Sequence, residues 1–130
     1  MGTDCDRIEI TLPFKADYVS LARLVASGIC SRIGFDIETI EDIKVAISEV
    51  CSKIVSVGSK IANGYTIVYG VTECALNVKY FCDDPSIKCI FNAERDGLAI
   101  HIINALMDQV ELCNEANYIV SMSKTLEVGK

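Results

Sequence analysis

The sequence predicts a two-layer α/β sandwich: a mainly antiparallel sheet covered on one face by three helices, in the order β-α-α-β-β-α-β-β. Three observations carry that expectation. Alternating apolar runs at 65–71 and 76–82 are joined by a link too short for a crossover, so they pair as an antiparallel hairpin. Segments 17–33 and 40–57 repeat apolar residues at helical spacing, and 98–107 is apolar almost throughout. Helices so placed cannot lie between parallel strands and must cover one face of the sheet.

The first element, 7–14, alternates. Ile8, Ile10 and Leu12 face one way, Arg7, Glu9 and Thr11 the other, as in a half-buried strand that Pro13 ends. Asp17 then suits a helix N-cap. Leu21, Leu24, Val25, Gly28 and Ile29 form the predicted apolar face, and Gly34 fits the left-handed position that closes the helix. A second helix starts near Asp36 or Thr39, where Thr39-Ile40-Glu41-Asp42 resembles a capping box. Its stripe is Ile40, Ile43, Ile47, Val50, Ile54 and Val57, and Gly58 and Asn63-Gly64 close the region. The hairpin follows, with Tyr65, Ile67, Tyr69 and Val71 on one strand and Leu76, Val78, Tyr80 and Cys82 on the other. Residues 83–96 are irregular. Asp96 is a good N-cap for a third helix from Gly97, whose all-round apolar surface predicts burial. Two strands end the fold, one with Val110 and Leu112 and one with Tyr118, Val120 and Met122, turning through 114–117.

Composition sets the outer limits. The 130 residues are 51% apolar, with 12 Lys and Arg against 18 Asp and Glu for a net charge of −6. Such a chain is too apolar for disorder and long enough for one core, so a single domain over 1–130 is expected. The acid balance argues against direct nucleic-acid binding, which needs a basic patch. The apolar stretches are too short to span a bilayer, and the opening MGTDCDRIEITL has neither the pattern of a secretory leader nor a myristoylation signal. A soluble, cytoplasmic protein is expected. Cys5, Cys30, Cys51, Cys74, Cys82, Cys89 and Cys113 include no CxxC pair, which disfavours zinc and thioredoxin-like chemistry and predicts reduced core thiols and no metal site. His101, alone in an apolar helix, reads as a buried structural histidine.

Two motifs and a weaker third bear on function. IEDIKVAISEVCSK spans 40–53, GLAI at 97–100 is followed by LMDQV at 106–110, and LARL occupies 21–24. With the element order, they resemble the anti-sigma factor serine kinases of bacterial stress-response and sporulation switches. Those kinases belong to the histidine-kinase-like ATPase superfamily, which shares the Bergerat nucleotide-binding fold. The resemblance covers nearly the whole chain. It implies a protein that binds and blocks an RNA polymerase sigma factor. Typical members also use ATP and Mg²⁺ to phosphorylate a serine on an anti-anti-sigma antagonist, and usually act as homodimers.

Residue by residue, the resemblance makes Glu49 the general base for the attacking serine, which must lie within reach of the proton it takes. Lys53 stands where the family has an Asn that holds Mg²⁺; an ammonium has no acceptor and repels a cation, and Lys53 is spaced to pair with Glu49. A direct phosphate contact by Lys53 is the remaining nucleotide role. Asp83 is the candidate for the adenine-binding Asp, but Pro85 then takes the place of the following Gly. The stretch 86–96 is short and not glycine-rich for a phosphate lid. Gly97 matches the first glycine of the last motif, Ala99 replaces the second, and Asp96 places negative charge where an anion would dock. Arg23 matches an arginine that contacts the sigma factor or the antagonist. The sequence therefore reads as an anti-sigma factor-like regulator with impaired or absent ATP and kinase activity. The alternative is an active ATP-dependent serine-protein kinase. Cys51, Cys82 and Cys89 fall, by the same resemblance, around the nucleotide site.

Overall fold

A computed structural model describes residues 5–58, 63–84, 86–87, 89–112 and 117–127. The elements are β1 (Asp6–Leu12), α1 (Val19–Ile33), α2 (Ile37–Gly58), β2 (Tyr65–Val71), β3 (Ala75–Phe81), α3 (Gly97–Leu106), β4 (Gln109–Glu111) and β5 (Val120–Thr125). They form one five-stranded sheet in the order β1-β2-β3-β5-β4, with every neighbouring pair antiparallel. The predicted α/β sandwich and element order are those observed. Pro85 and residues 114–116 of the last turn lie outside the described residues.

Register and burial explain why the helices take one face. Ile10, Ile67 and Tyr80 align across three strands, and Ile8, Tyr69, Val78 and Met122 across four. From β2 inward these residues are fully buried, and with Ile43, Ile47, Val50 and Ile54 of α2 they form the core. β1 is an edge strand, so Ile8 stays 39% exposed, while the predicted half-burial is reached at Ile10, partly buried against the core, and Leu12, buried.

Helix starts and faces differ from expectation in three places. Asp17 does not cap α1; residues 16–18 form a 3-10 turn, and Tyr18 occupies the N-cap position without a side-chain bond. The buried face of α1 is Val19, Ala22, Ala26, Ile29 and Cys30. Leu21, Leu24 and Gly28 face solvent. The small Ala22 and Ala26 let the helix approach the sheet, where the Ala22 carbonyl accepts the Tyr69 hydroxyl at 2.9 Å. At α2 the cap is Asp36, one of the two expected starts, whose carboxylate accepts the Thr39 amide at 2.8 Å. Finally, α3 is not buried all round: Ile103 is its one buried residue, Leu98 is 75% exposed and His101 is exposed. A two-layer fold offers a helix a single inward face, so the remaining apolar side chains of α3 have nowhere to go.

Gly34 closes α1 at φ +108°, the left-handed conformation expected of it. Gly58 ends α2 beneath the Phe14 ring; an added Cβ would sit 2.4 Å from that ring. Cys30 and Cys51 are fully buried thiols, as expected of core cysteines; Cys5, Cys74 and Cys82 are also free, but Cys5 and Cys74 are exposed and so are not core residues. Cys89 is disulfide-bonded, which departs from the expectation of reduced thiols. The wide spacing of the cysteines carried no sign of that bond.

Candidate functional site

The site named by the sequence centres on the second half of α2. Its stripe of Ile47, Val50, Cys51 and Ile54 is locked into the core and leaves Glu49 and Lys53 outside it, Lys53 reaching the start of α3. Glu49 is half-buried and, among the described residues, makes no hydrogen bond or ion pair. Its predicted partner Lys53 is engaged elsewhere. The Lys53 ammonium lies 3.1 Å from Asp96 Oδ1 and 3.0 Å from Asp96 Oδ2, with the two side chains only 15% and 14% exposed. The expected neutralisation of Glu49 by Lys53 is therefore replaced by a bond between two elements.

Asp96 holds the N-cap position of α3 without capping it. Its carboxylate turns back to accept the Asn92 amide at 2.8 Å, and Arg95 lies 3.9 Å away. The Asn92 amide, the Lys53 ammonium and the Arg95 charge hold the Asp96 carboxyl below the usual carboxylate range. Asn92 in turn accepts the amides of Glu94 and Arg95 at 2.9 and 3.0 Å. Asn92 escaped the sequence reading, although an Asn followed by Asp four residues on is a turn signal.

The remaining candidates are spread out. Asp83 is exposed and lines an open cavity of about 490 Å³ with Leu12, Gly64, Tyr65, Phe81 and Cys82. None of Glu49, Lys53, Gly97 or Ala99 lines that cavity. Gly97 is exposed, and an added Cβ there would meet nothing within 4 Å, so no close backbone approach demands a glycine. Ala99 follows on the first turn of α3, half-buried. Cys51 points into the core, where burial pushes its thiol up to about 11; the buried hydroxyls of Tyr65 and Tyr80 face its sulfur and have no other polar partner among the described residues. Cys82 donates to the Gly64 carbonyl at 3.5 Å.

These residues fit a nucleotide and its metal poorly. Magnesium requires oxygen ligands, and at position 53 it would meet an ammonium already held by a carboxylate. Among the described residues no group of three or more His, Cys, Asp and Glu could hold a metal. The N-terminus of α3, which could serve an anion, carries the Asp96 carboxylate instead.

A different surface lies on α1. Arg23 is partly buried and donates to the Ser48 hydroxyl of α2 at 3.3 Å. Tyr18, Leu21 and Leu24 on the same stretch, and Val45 on α2, are all large apolar residues left exposed. Among the described residues no helix is long and apolar enough to cross a membrane.

Comparison with known proteins gives a consistent relationship. The profile of the histidine kinase-like ATPase domain matches residues 12–124. The serine-protein kinase RsbW of Bacillus cereus strain B4264 is 32% identical, over 94% of this chain and 86% of that protein. Serine-protein kinases RsbW of Bacillus mycoides strain KBAB4 and Bacillus thuringiensis strain Al Hakam are each 31% identical over the same shares.

Proposed function

The chain belongs to the histidine kinase-like ATPase family, among relatives that are serine-protein kinases RsbW, and from that premise we propose that it is an anti-sigma factor-like regulator. It binds an RNA polymerase sigma factor or an anti-anti-sigma partner in a bacterial partner-switching pathway, as a homodimer in the cytoplasm, with impaired or absent ATP and kinase activity. The observation that carries this reading is the Lys53–Asp96 ion pair. It sets a positive charge where the resemblance expects the metal ligand and a negative one where it expects the phosphate.

Partner binding does not depend on that chemistry. Arg23 offers a planar fork suited to a carboxylate, on the stretch of chain that also exposes Tyr18, Leu21 and Leu24. A second reading, an active ATP-dependent serine-protein kinase acting on the antagonist, is favoured by one feature: the Glu49 carboxylate has no partner among the described residues and is free to take a proton.

Thermal unfolding with and without Mg-ATP separates the two. A ligand at about 100 times its dissociation constant stabilises the folded state by about 2.7 kcal/mol, a shift of several degrees. The regulator reading expects no Mg²⁺-dependent shift, together with capture of a purified sigma factor that Arg23→Ala weakens. A Mg²⁺-dependent shift of several degrees overturns the impaired-nucleotide part. Loss of sigma factor and antagonist capture overturns the regulator part.

A further inference from the structure

The Lys53–Asp96 pair does more than occupy a site. Asp96 joins three pieces of the chain. Its carboxylate receives the Asn92 amide and the Lys53 ammonium, its own amide donates to the Asn92 carbonyl at 2.7 Å, and its carbonyl accepts the Ile100 amide at 2.9 Å. The turn 92–96 and the first turn of α3 are thereby fastened to α2 through one side-chain contact. Packing gives α3 few anchors: Ile103 is its one buried residue, with Leu106 partly buried against the core.

We propose that the Lys53–Asp96 ion pair is a ligand-independent clasp that holds the 92–96 turn and the start of α3 shut against α2. Calling the closed face the nucleotide end rests on the reading above; the clasp itself does not. In charge terms the ammonium stands in for a bound cation and the carboxylate for a bound anion, so the segment is ordered without either. The pair is largely shielded from water, so removing one partner leaves the other charge uncompensated, and the segment opens. The clasp is therefore an autoinhibitory contact. A ligand that needs this face must first displace Asp96 from Lys53.

Amide hydrogen exchange on the full chain, without nucleotide, tests the clasp directly. Lys53→Met and Asp96→Asn are each expected to speed exchange across 92–100 at least about tenfold, with the β2–β3 hairpin amides unchanged. Lys53→Arg keeps a cation and retains protection within about threefold of the parent. Exchange at 92–100 that stays within about twofold in the folded single variants overturns the proposal. So does a Lys53→Arg chain that opens as fully as Lys53→Met, or an equal acceleration in the hairpin, which would report global loosening. A Mg-ATP shift in the parent chain would overturn the functional reading and leave the clasp to be judged by exchange alone.

Discussion

α2 and α3 are both apolar helices that begin at an aspartate, and the fold treats them in opposite ways. α2 buries Ile43, Ala46, Ile47, Val50, Cys51 and Ile54 along one stripe, while α3 buries Ile103 alone and leaves Leu98 75% exposed. Asp36 caps its own helix through the Thr39 amide, whereas Asp96 reaches away from its helix to Lys53 and Asn92. The difference teaches that the arrangement of apolar residues, not their total, decides burial. A helix with one apolar face can be fully satisfied by one sheet. A helix apolar all round can be satisfied on one side only, and α3 is then held by a charge pair in addition to packing.

The largest test of that contrast is truncation within the α2 stripe. Ile47 is fully buried between helix and sheet, and Ile47→Ala should cost about 3–4 kcal/mol from lost transfer energy and the cavity left behind. Urea unfolding measures it. Ile103→Ala removes the one buried anchor of α3 and should cost less, about 2 kcal/mol, because a helix packed on one side can relax into the gap. Equal costs would break the contrast.

The same contrast separates what was legible in the sequence from what was not. The β2–β3 hairpin and the α2 stripe were legible because alternation and helical spacing translate directly into one buried side. The face of α1 was not. Leu21 and Leu24 are the larger residues, yet Ala22 and Ala26 are buried, because close approach to the sheet favours small side chains and no single-helix pattern records which neighbour comes near. Of the site, the α2 position of Glu49 and Lys53 was legible from local spacing. The bond from Lys53 to Asp96 was not, since it joins residues 43 apart in the chain and competes with an equally plausible local partner, Glu49.

The two aspartates give the next effect in size. Both carboxyls lie below the usual range, Asp36 through the Thr39 hydroxyl and amide, Asp96 through the Asn92 amide and the Lys53 ammonium. A folded pKa below the unfolded value of about 3.9 means stability that is complete above about pH 4 and is lost as pH falls through the folded pKa. At pH 7, Asp36→Asn keeps an acceptor for the cap and should change little, whereas Asp96→Asn loses an ion pair and should unfold at lower urea. As pH falls through the folded pKa values both variants should converge on the parent chain, because the carboxylates they replace become protonated. An Asp36→Asn variant less stable than Asp96→Asn at pH 7 would reverse the assignment of cap and clasp.

The smallest expected effect is the most specific to α3. Leu98 is the second residue of the helix and 75% exposed, so Leu98→Ala removes apolar area that folding scarcely hides from water. Its effect on unfolding should stay within about 0.5 kcal/mol, the range for surface positions, against about 3–4 kcal/mol for Ile47→Ala in α2. A cost above about 1.5 kcal/mol would mean that Leu98 is buried in solution, as the all-round apolar sequence of α3 first suggested. α3 would then be held by packing at its N-terminal end, and the Lys53–Asp96 pair would be redundant as its fastening.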